Sequence, residues 1–135
     1  MNGFTLIEIL VVTAIIGLII GFGMIVDWSV IGQNNFSAEQ TKIVSILEKA
    51  RSRAMANMFE SPHGVCYVAP NYILFRDTCG GGFTEPIPAN ANITVTFPTI
   101  TFEQLTGNAT GDTINITDGT KSADIIINDA GTINW

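Results

Sequence analysis

Three patterns of apolar and polar positions divide the chain. From Phe4 to Val26, "FTLIEILVVTAIIGLIIGFGMIV", apolar and small residues run on without alternation, and Glu8 is the one charge among them. As a helix, this run of about 23 residues rises about 34 Å, against about 30 Å for the hydrocarbon core of a bilayer. A helix apolar on every face suits lipid better than the edge of a small domain, so the pattern predicts a membrane-spanning helix over 4–27. The pattern then changes period. Ile43, Ile46, Leu47, Ala50, Ala54 and Met58 recur at helical spacing and form one apolar stripe. Ser37 followed by Gln40 has the spacing of a capping box and marks a helix start. The intervening "GQNN" either bends two helical pieces or is absorbed into one long helix. A helical stalk is expected over 28–60, and "SPHG" at Ser61–Gly64 stops it.

Beyond that point the period is two. "GVCYVAPNYILFRD" reads as a hairpin turning at Pro70-Asn71. "TCGGGF" reads as a loop. In "NITVTFPTITF", Ile93, Val95 and Phe97 alternate with Thr94 and Thr96, and Pro98 breaks or bulges the strand. "DTINITDGTKSADIIIND" is a second hairpin around Asp118-Gly119, and "GTINW" is a last short strand. The expected fold class is α+β: a long hydrophobic N-terminal helix, then an antiparallel β domain over 61–135 with about six or seven strands.

Charge changes this picture little. The 135 residues carry a net charge of -6 and six Lys or Arg. Lys42, Lys49, Arg51 and Arg53 share the stalk helix with Glu39 and Glu48, which reads as a solvated face laced with helix-spaced pairs. An acidic chain lacks the electrostatic footprint of a phosphate binder, which argues against nucleic acid as a partner.

Candidate chemistry is sparse. His63 stands in a helix-stopping turn without a nucleophile signature near it. Asp118, Asp124 and Asp129 flank turns, where Asp is favoured anyway, and lack EF-hand spacing. Gly80–Gly82 precede neither a GK[ST] motif nor a helix, so they are no phosphate loop. The N-x-[ST] triplets at Asn35, Asn92, Asn108 and Asn115 follow from an Asn- and Thr-rich composition. Cys66 and Cys79 form no CxxC pair and have no zinc-site partners. If the domain is exported, their even count predicts a disulfide. The expectation is a non-enzymatic protein with no catalytic residue, no metal and no cofactor.

Glu8 is the anomaly. A carboxylate deep in a bilayer costs about 2.5–3.5 kcal/mol on insertion scales. It either snorkels from the helix start to the headgroups or has a partner. The apolar run holds no Lys, Arg or His, so a partner must come from another molecule or from a new chain terminus. A cleaved secretory signal does not account for the run, because "MNG" is not basic, the run is too long and no A-x-A site follows.

"GFTLIEILVVTAIIG" resembles the class III signal of type IV pilins and type II secretion pseudopilins. The resemblance implies that prepilin peptidase removes a leader, residues 1–3, by cutting after Gly3, and methylates the new terminus at Phe4. It assigns Glu8, five residues into the mature chain, to assembly: the carboxylate pairs with the Phe4 amine of a neighbouring subunit or of its own. Family leaders usually carry Lys or Arg before the glycine, and "MNG" does not. The implied partners are other pilins or further copies in a helical filament, the peptidase, the inner-membrane assembly machinery and the membrane itself. Gly17 and Gly21 have the small-xxx-small spacing that lets membrane helices pack closely. From Ile100 onward, "ITFEQLTGNATGDTINITDGTKSADIIINDAGTI" is similar to the β domain of minor pilins and pseudopilins of the GspH/FimT type. Two further readings stand beside the filament subunit. One is a minor tip pilin that binds DNA or another ligand. The other is a single-pass membrane protein with a periplasmic binding domain, which leaves Gly3 and Glu8 unexplained.

Overall fold

The structure, a computed structural model, describes residues 5–23 and 28–135. The backbone falls into two units, Met1–Gln33 and Asn34–Trp135. In the first, helix α1 spans Leu6–Gly23. Thr5 precedes it in non-helical conformation, and its carbonyl accepts the N–H groups of Glu8 (3.1 Å) and Ile9 (3.3 Å). The apolar run expected to reach Val26 extends past Gly23 into residues outside the description. Among the described residues, no helix is long and apolar enough to cross a membrane.

Helix α2 spans Trp28–Met55. "GQNN" is therefore absorbed into one continuous helix, and Ser37 lies in its interior. The expected capping box is corrected: no helix terminus exists at Ser37, and its carbonyl instead accepts the Thr41 hydroxyl (2.9 Å). The helix ends at Met55, before the "SPHG" turn. Asn57 follows at φ 52, and Asn is one of the few non-glycine residues that tolerates this left-handed cap conformation. A single 3-10 turn over Met58–Glu60 completes the exit.

All described strand pairings are antiparallel. They form two four-stranded sheets with orders β3-β2-β1-β5 and β4-β6-β7-β8. The strands are β1 His63–Val68, β2 Asn71–Arg76, β3 Thr84–Pro88, β4 Thr94–Thr96, β5 Ile100–Phe102, β6 Asp112–Thr117, β7 Ser122–Ile127 and β8 Ile133–Asn134. The first hairpin turns through Ala69 and Pro70, because Val68 pairs with Asn71. This moves the turn one residue from its expected place and makes Asn71 the first strand residue. Pro98 does more than bulge a strand: Thr94–Thr96 and Ile100–Phe102 on its two sides belong to different sheets. The Asp118-Gly119 hairpin is present. Asp118 accepts the N–H groups of Thr120 (2.8 Å) and Lys121 (2.7 Å), and Gly119 takes φ 89.

One core joins α2 to both sheets. Ile43, Ile46, Leu47, Ala50 and Ala54 of the helical stripe are buried with Val65, Leu74, Ile100 and Phe102 from one sheet and Ile114, Ile116, Ile125 and Ile127 from the other. Met58, expected in the stripe, lies beyond the helix end and is exposed. On the opposite face of β1, Gly64 makes room for the ring of Phe75, its cross-strand partner. A Cβ at Gly64 would collide with that ring and with the Ile100 carbonyl oxygen.

Candidate assembly and processing site

Gly3 and Phe4, the expected processing residues, lie outside the described residues. Glu8 sits in the first turn of α1. With Thr5 before the helix and Glu8 three residues on, the pair occupies the positions of a capping box. A carboxylate there also faces the partial positive charge of the helix N-terminus. No partner for the Glu8 carboxylate lies among the described residues.

Residues 6–21 of α1 are exposed. Leu6 is 83% exposed, and the consecutive residues Ile9, Leu10, Val11 and Val12, which go round the helix, are exposed too. Burying one such side chain contributes about 1.5–3 kcal/mol, so the helix has a large unsatisfied demand for an apolar environment. Gly17 and Gly21 lie one turn apart on it, and a Cβ at either would meet nothing within 4 Å. Both positions therefore leave the helix backbone open to close approach by another helix.

Cys66 and Cys79 are joined by a disulfide with a Cα–Cα separation of 6.2 Å. Cys66 is buried on β1, on the face away from the core, and Cys79 lies in the β2–β3 loop. The loop turns back through an Arg76 N–H to Phe83 carbonyl bond of 3.2 Å, which starts β3 alongside β2. Alkylation of the unreduced, denatured protein from its native host is expected to modify neither cysteine. Modification of both would contradict the pairing.

The cationic residues of α2 do not form a solvated stripe. Lys49 (2.5 Å) and Arg53 (3.1 Å) both reach Glu85 on β3. Hydrogen bonding from Lys49, and secondarily from Arg53, holds the Glu85 carboxyl below the usual range. Arg51 donates to the Ala130 carbonyl (3.1 Å). Each of these bonds ties the helix to a strand or loop distant in sequence.

Glu39 was expected on the same solvated face, and it is only 2% exposed. Its carboxylate accepts Lys42 Nζ (2.6 Å), the Tyr72 hydroxyl (2.8 Å) and the Asn90 N–H (3.0 Å). Lys42 also donates to the Pro88 carbonyl (3.1 Å). Burial alone would raise the Glu39 pKa, but the bonds from Lys42, Asn90 and Tyr72 outweigh it and hold the carboxyl below its ordinary value. Burial, then the adjacent carboxylate, pushes the Tyr72 hydroxyl well up. Both carboxylate oxygens are engaged by donors the fold supplies, so the cluster reads as a structural clasp between α2 and the β3–β4 connection. Among the described residues no group of His, Cys, Asp and Glu could hold a metal ion.

Compared with known proteins, residues 1–24 match the family model described as the prokaryotic N-terminal methylation motif. The chain thus carries the class III signal found in type IV pilin-like and pseudopilin proteins. That match covers the N-terminal segment and not the sheets. No curated protein and no solved structure matches the chain.

Proposed function

We propose that this chain is a structural subunit of a type IV pilus-like filament or a type II secretion pseudopilus. Prepilin peptidase cuts it after Gly3 and methylates Phe4. The apolar helix then holds it in the inner membrane, with the β domain outside the cytoplasm, until extraction into a filament packs that helix against its neighbours. Glu8 pairs there with a Phe4 amine, and Gly17 and Gly21 permit close helix contact. The observation that carries this reading is the methylation motif over residues 1–24. The exposed apolar surface of α1 supports it, because lipid before assembly and other subunits afterwards meet the same demand.

A DNA-binding tip subunit finds less support. Lys42, Lys49, Arg51, Arg53 and Arg76 each have a partner within the chain, a carboxylate or a carbonyl oxygen. Few cations are left to meet a phosphate backbone. The test is to fractionate native-host cells with and without prepilin peptidase. Filaments or pseudopili containing this chain are expected only with the peptidase, and the chain is expected to stay in the inner membrane without it. The same distribution in both strains would refute the reading.

A further inference from the structure

His63 is a buried titratable group that filament assembly does not use. It opens β1 and is 1% exposed. Its Nδ1–H donates to the Ser61 carbonyl at 3.0 Å, which fixes the neutral tautomer with Nε2 unprotonated. In the register of the sheet His63 stands between Arg76 on β2 and Phe102 on β5. Residues directly opposite on neighbouring antiparallel strands share a face of the sheet. One neighbour is thus a guanidinium and the other a buried aromatic ring. Arg53 of α2 adds a second cation nearby, itself held by Glu85. Asp77, just after β2, acts on the ring in the opposite sense, and it is exposed.

Arg76 links this site to the exit from α2. Its guanidinium lies 5.0 Å from the centroid of the Phe59 ring and 3.7 Å from Asp77. Phe59 belongs to a strained turn: Asn57, Phe59 and Glu60 have φ of 52°, 59° and 53°. For Phe and Glu that left-handed region is unfavourable and persists only where the surroundings enforce it. The enforcing contacts from outside the turn are the Arg76–Phe59 stack, the Gln104–Asn57 hydrogen bond, the Asp77 N–H to Pro62 carbonyl bond of 3.0 Å and the His63 bond to the Ser61 carbonyl. Two of these four run through Arg76 or its chain neighbour.

We propose that His63 is an acid-sensitive catch: neutral, it lets Arg76 hold the strained turn over Asn57–Pro62, and protonated, it displaces Arg76 and releases that turn. Protonation places a new cation in a buried position beside Arg76 and Arg53, where the exposed Asp77 carboxylate does not balance it. The side chain free to move is Arg76, and its departure unstacks Phe59. Strain in the turn then favours opening over recovery. Burial first, with the two guanidiniums adding to it, outweighs the Ser61 bond, which favours the protonated ring, and holds the His63 pKa below the ordinary 6.5. The folded domain therefore binds this proton less readily than the open form does. Protection is complete above pH 6.5 and declines as pH falls toward the folded-state value. Over that window the open fraction grows by up to about tenfold per pH unit, the limit for one linked proton.

The test is amide hydrogen exchange of the full chain in detergent between about pH 7.5 and pH 5, corrected for intrinsic exchange rates. The wild type is expected to lose protection at the amides of Asn57, Glu60 and Asp77 as pH falls, while β6 and β7 do not change. His63→Asn keeps a donor near the Nδ1 position and cannot titrate, so its turn is expected to keep the same protection at every pH. Should that variant not fold, the titration of the His63 ring by NMR in the wild type replaces it. Its midpoint is expected below 6.5 and coincident with the loss of turn protection. Turn protection independent of pH, an equal loss in His63→Asn, or a ring midpoint at or above 6.5 would each overturn the proposal.

Discussion

Subunits carrying Glu8→Ala are expected to reach the membrane in normal amounts and to fail in filament assembly. Removing the carboxylate makes insertion easier, by up to about 3 kcal/mol on insertion scales. The unit Asn34–Trp135 has its own core and should fold as before. The proposed loss is the partner of the Phe4 amine, which a filament would then bury as an unpaired charge. Leaving a buried charge without its partner costs about 3–5 kcal/mol, repeated at each subunit of a homopolymer. Glu8 also occupies a capping-box position, so two roles must be separated. Glu8→Gln preserves the cap, since Gln serves at that position, and removes the charge. The assembly role predicts that Gln fails as Ala does, whereas a cap role predicts that Gln restores assembly. Counting surface filaments, or secretion, in cells with matched membrane-fraction abundance reads the outcome. For a minor component the number of filaments is the sensitive measure, because only initiation is affected.

Glu39→Ala is expected to destabilise the β-containing unit strongly. The substitution leaves the Tyr72 hydroxyl and the Asn90 N–H without their acceptor and Lys42 without its counter-ion. Breaking a buried charged cluster costs about 3–5 kcal/mol, and the lower end applies because Lys42 is 37% exposed and regains water. A loss of about 3 kcal/mol in a unit of this size lowers Tm by more than about 10 °C. Thermal unfolding of the full chain in detergent, followed by tyrosine near-ultraviolet circular dichroism, measures it; a drop under about 3 °C would mean that the clasp contributes little. The same carboxyl gives a pH signature. Its pKa in the fold lies below the ordinary 4.5, so its contribution is fully present above pH 4.5 and is lost as pH falls through the folded-state value. Glu39→Gln should flatten that acid limb of the stability curve.

The legible parts of the fold were those written in local periodicity. The stripe from Ile43 to Ala54 lies in the core, and Asp118-Gly119 closes a hairpin, because spacing and turn chemistry are properties of adjacent residues. Strand β3 is not legible in "TEPIP" because its prolines argue against a strand; it lies at a sheet edge, where proline is tolerated. The change of sheet at Pro98 was hidden too, since nothing in "TVTFPTIT" says which partner each half finds. Glu39 was misread for a related reason. Its helix neighbour Lys42 suggests a surface pair, while the partners that bury it, Tyr72 and Asn90, lie 33 and 51 residues away. The candidate site is the reverse case. The methylation motif over residues 1–24 is a signal in the order of the residues themselves, and that part was legible without any fold.

The intact mass of the protein purified from its native host tests the central claim most directly. The expected chain starts at Phe4 and, once its disulfide is reduced, is heavier than the unmodified 4–135 sequence by one CH2, the net gain when a methyl replaces a hydrogen, with tandem fragmentation placing that methyl on the Phe4 nitrogen. A chain that still starts at Met1 in cells with active prepilin peptidase would contradict it.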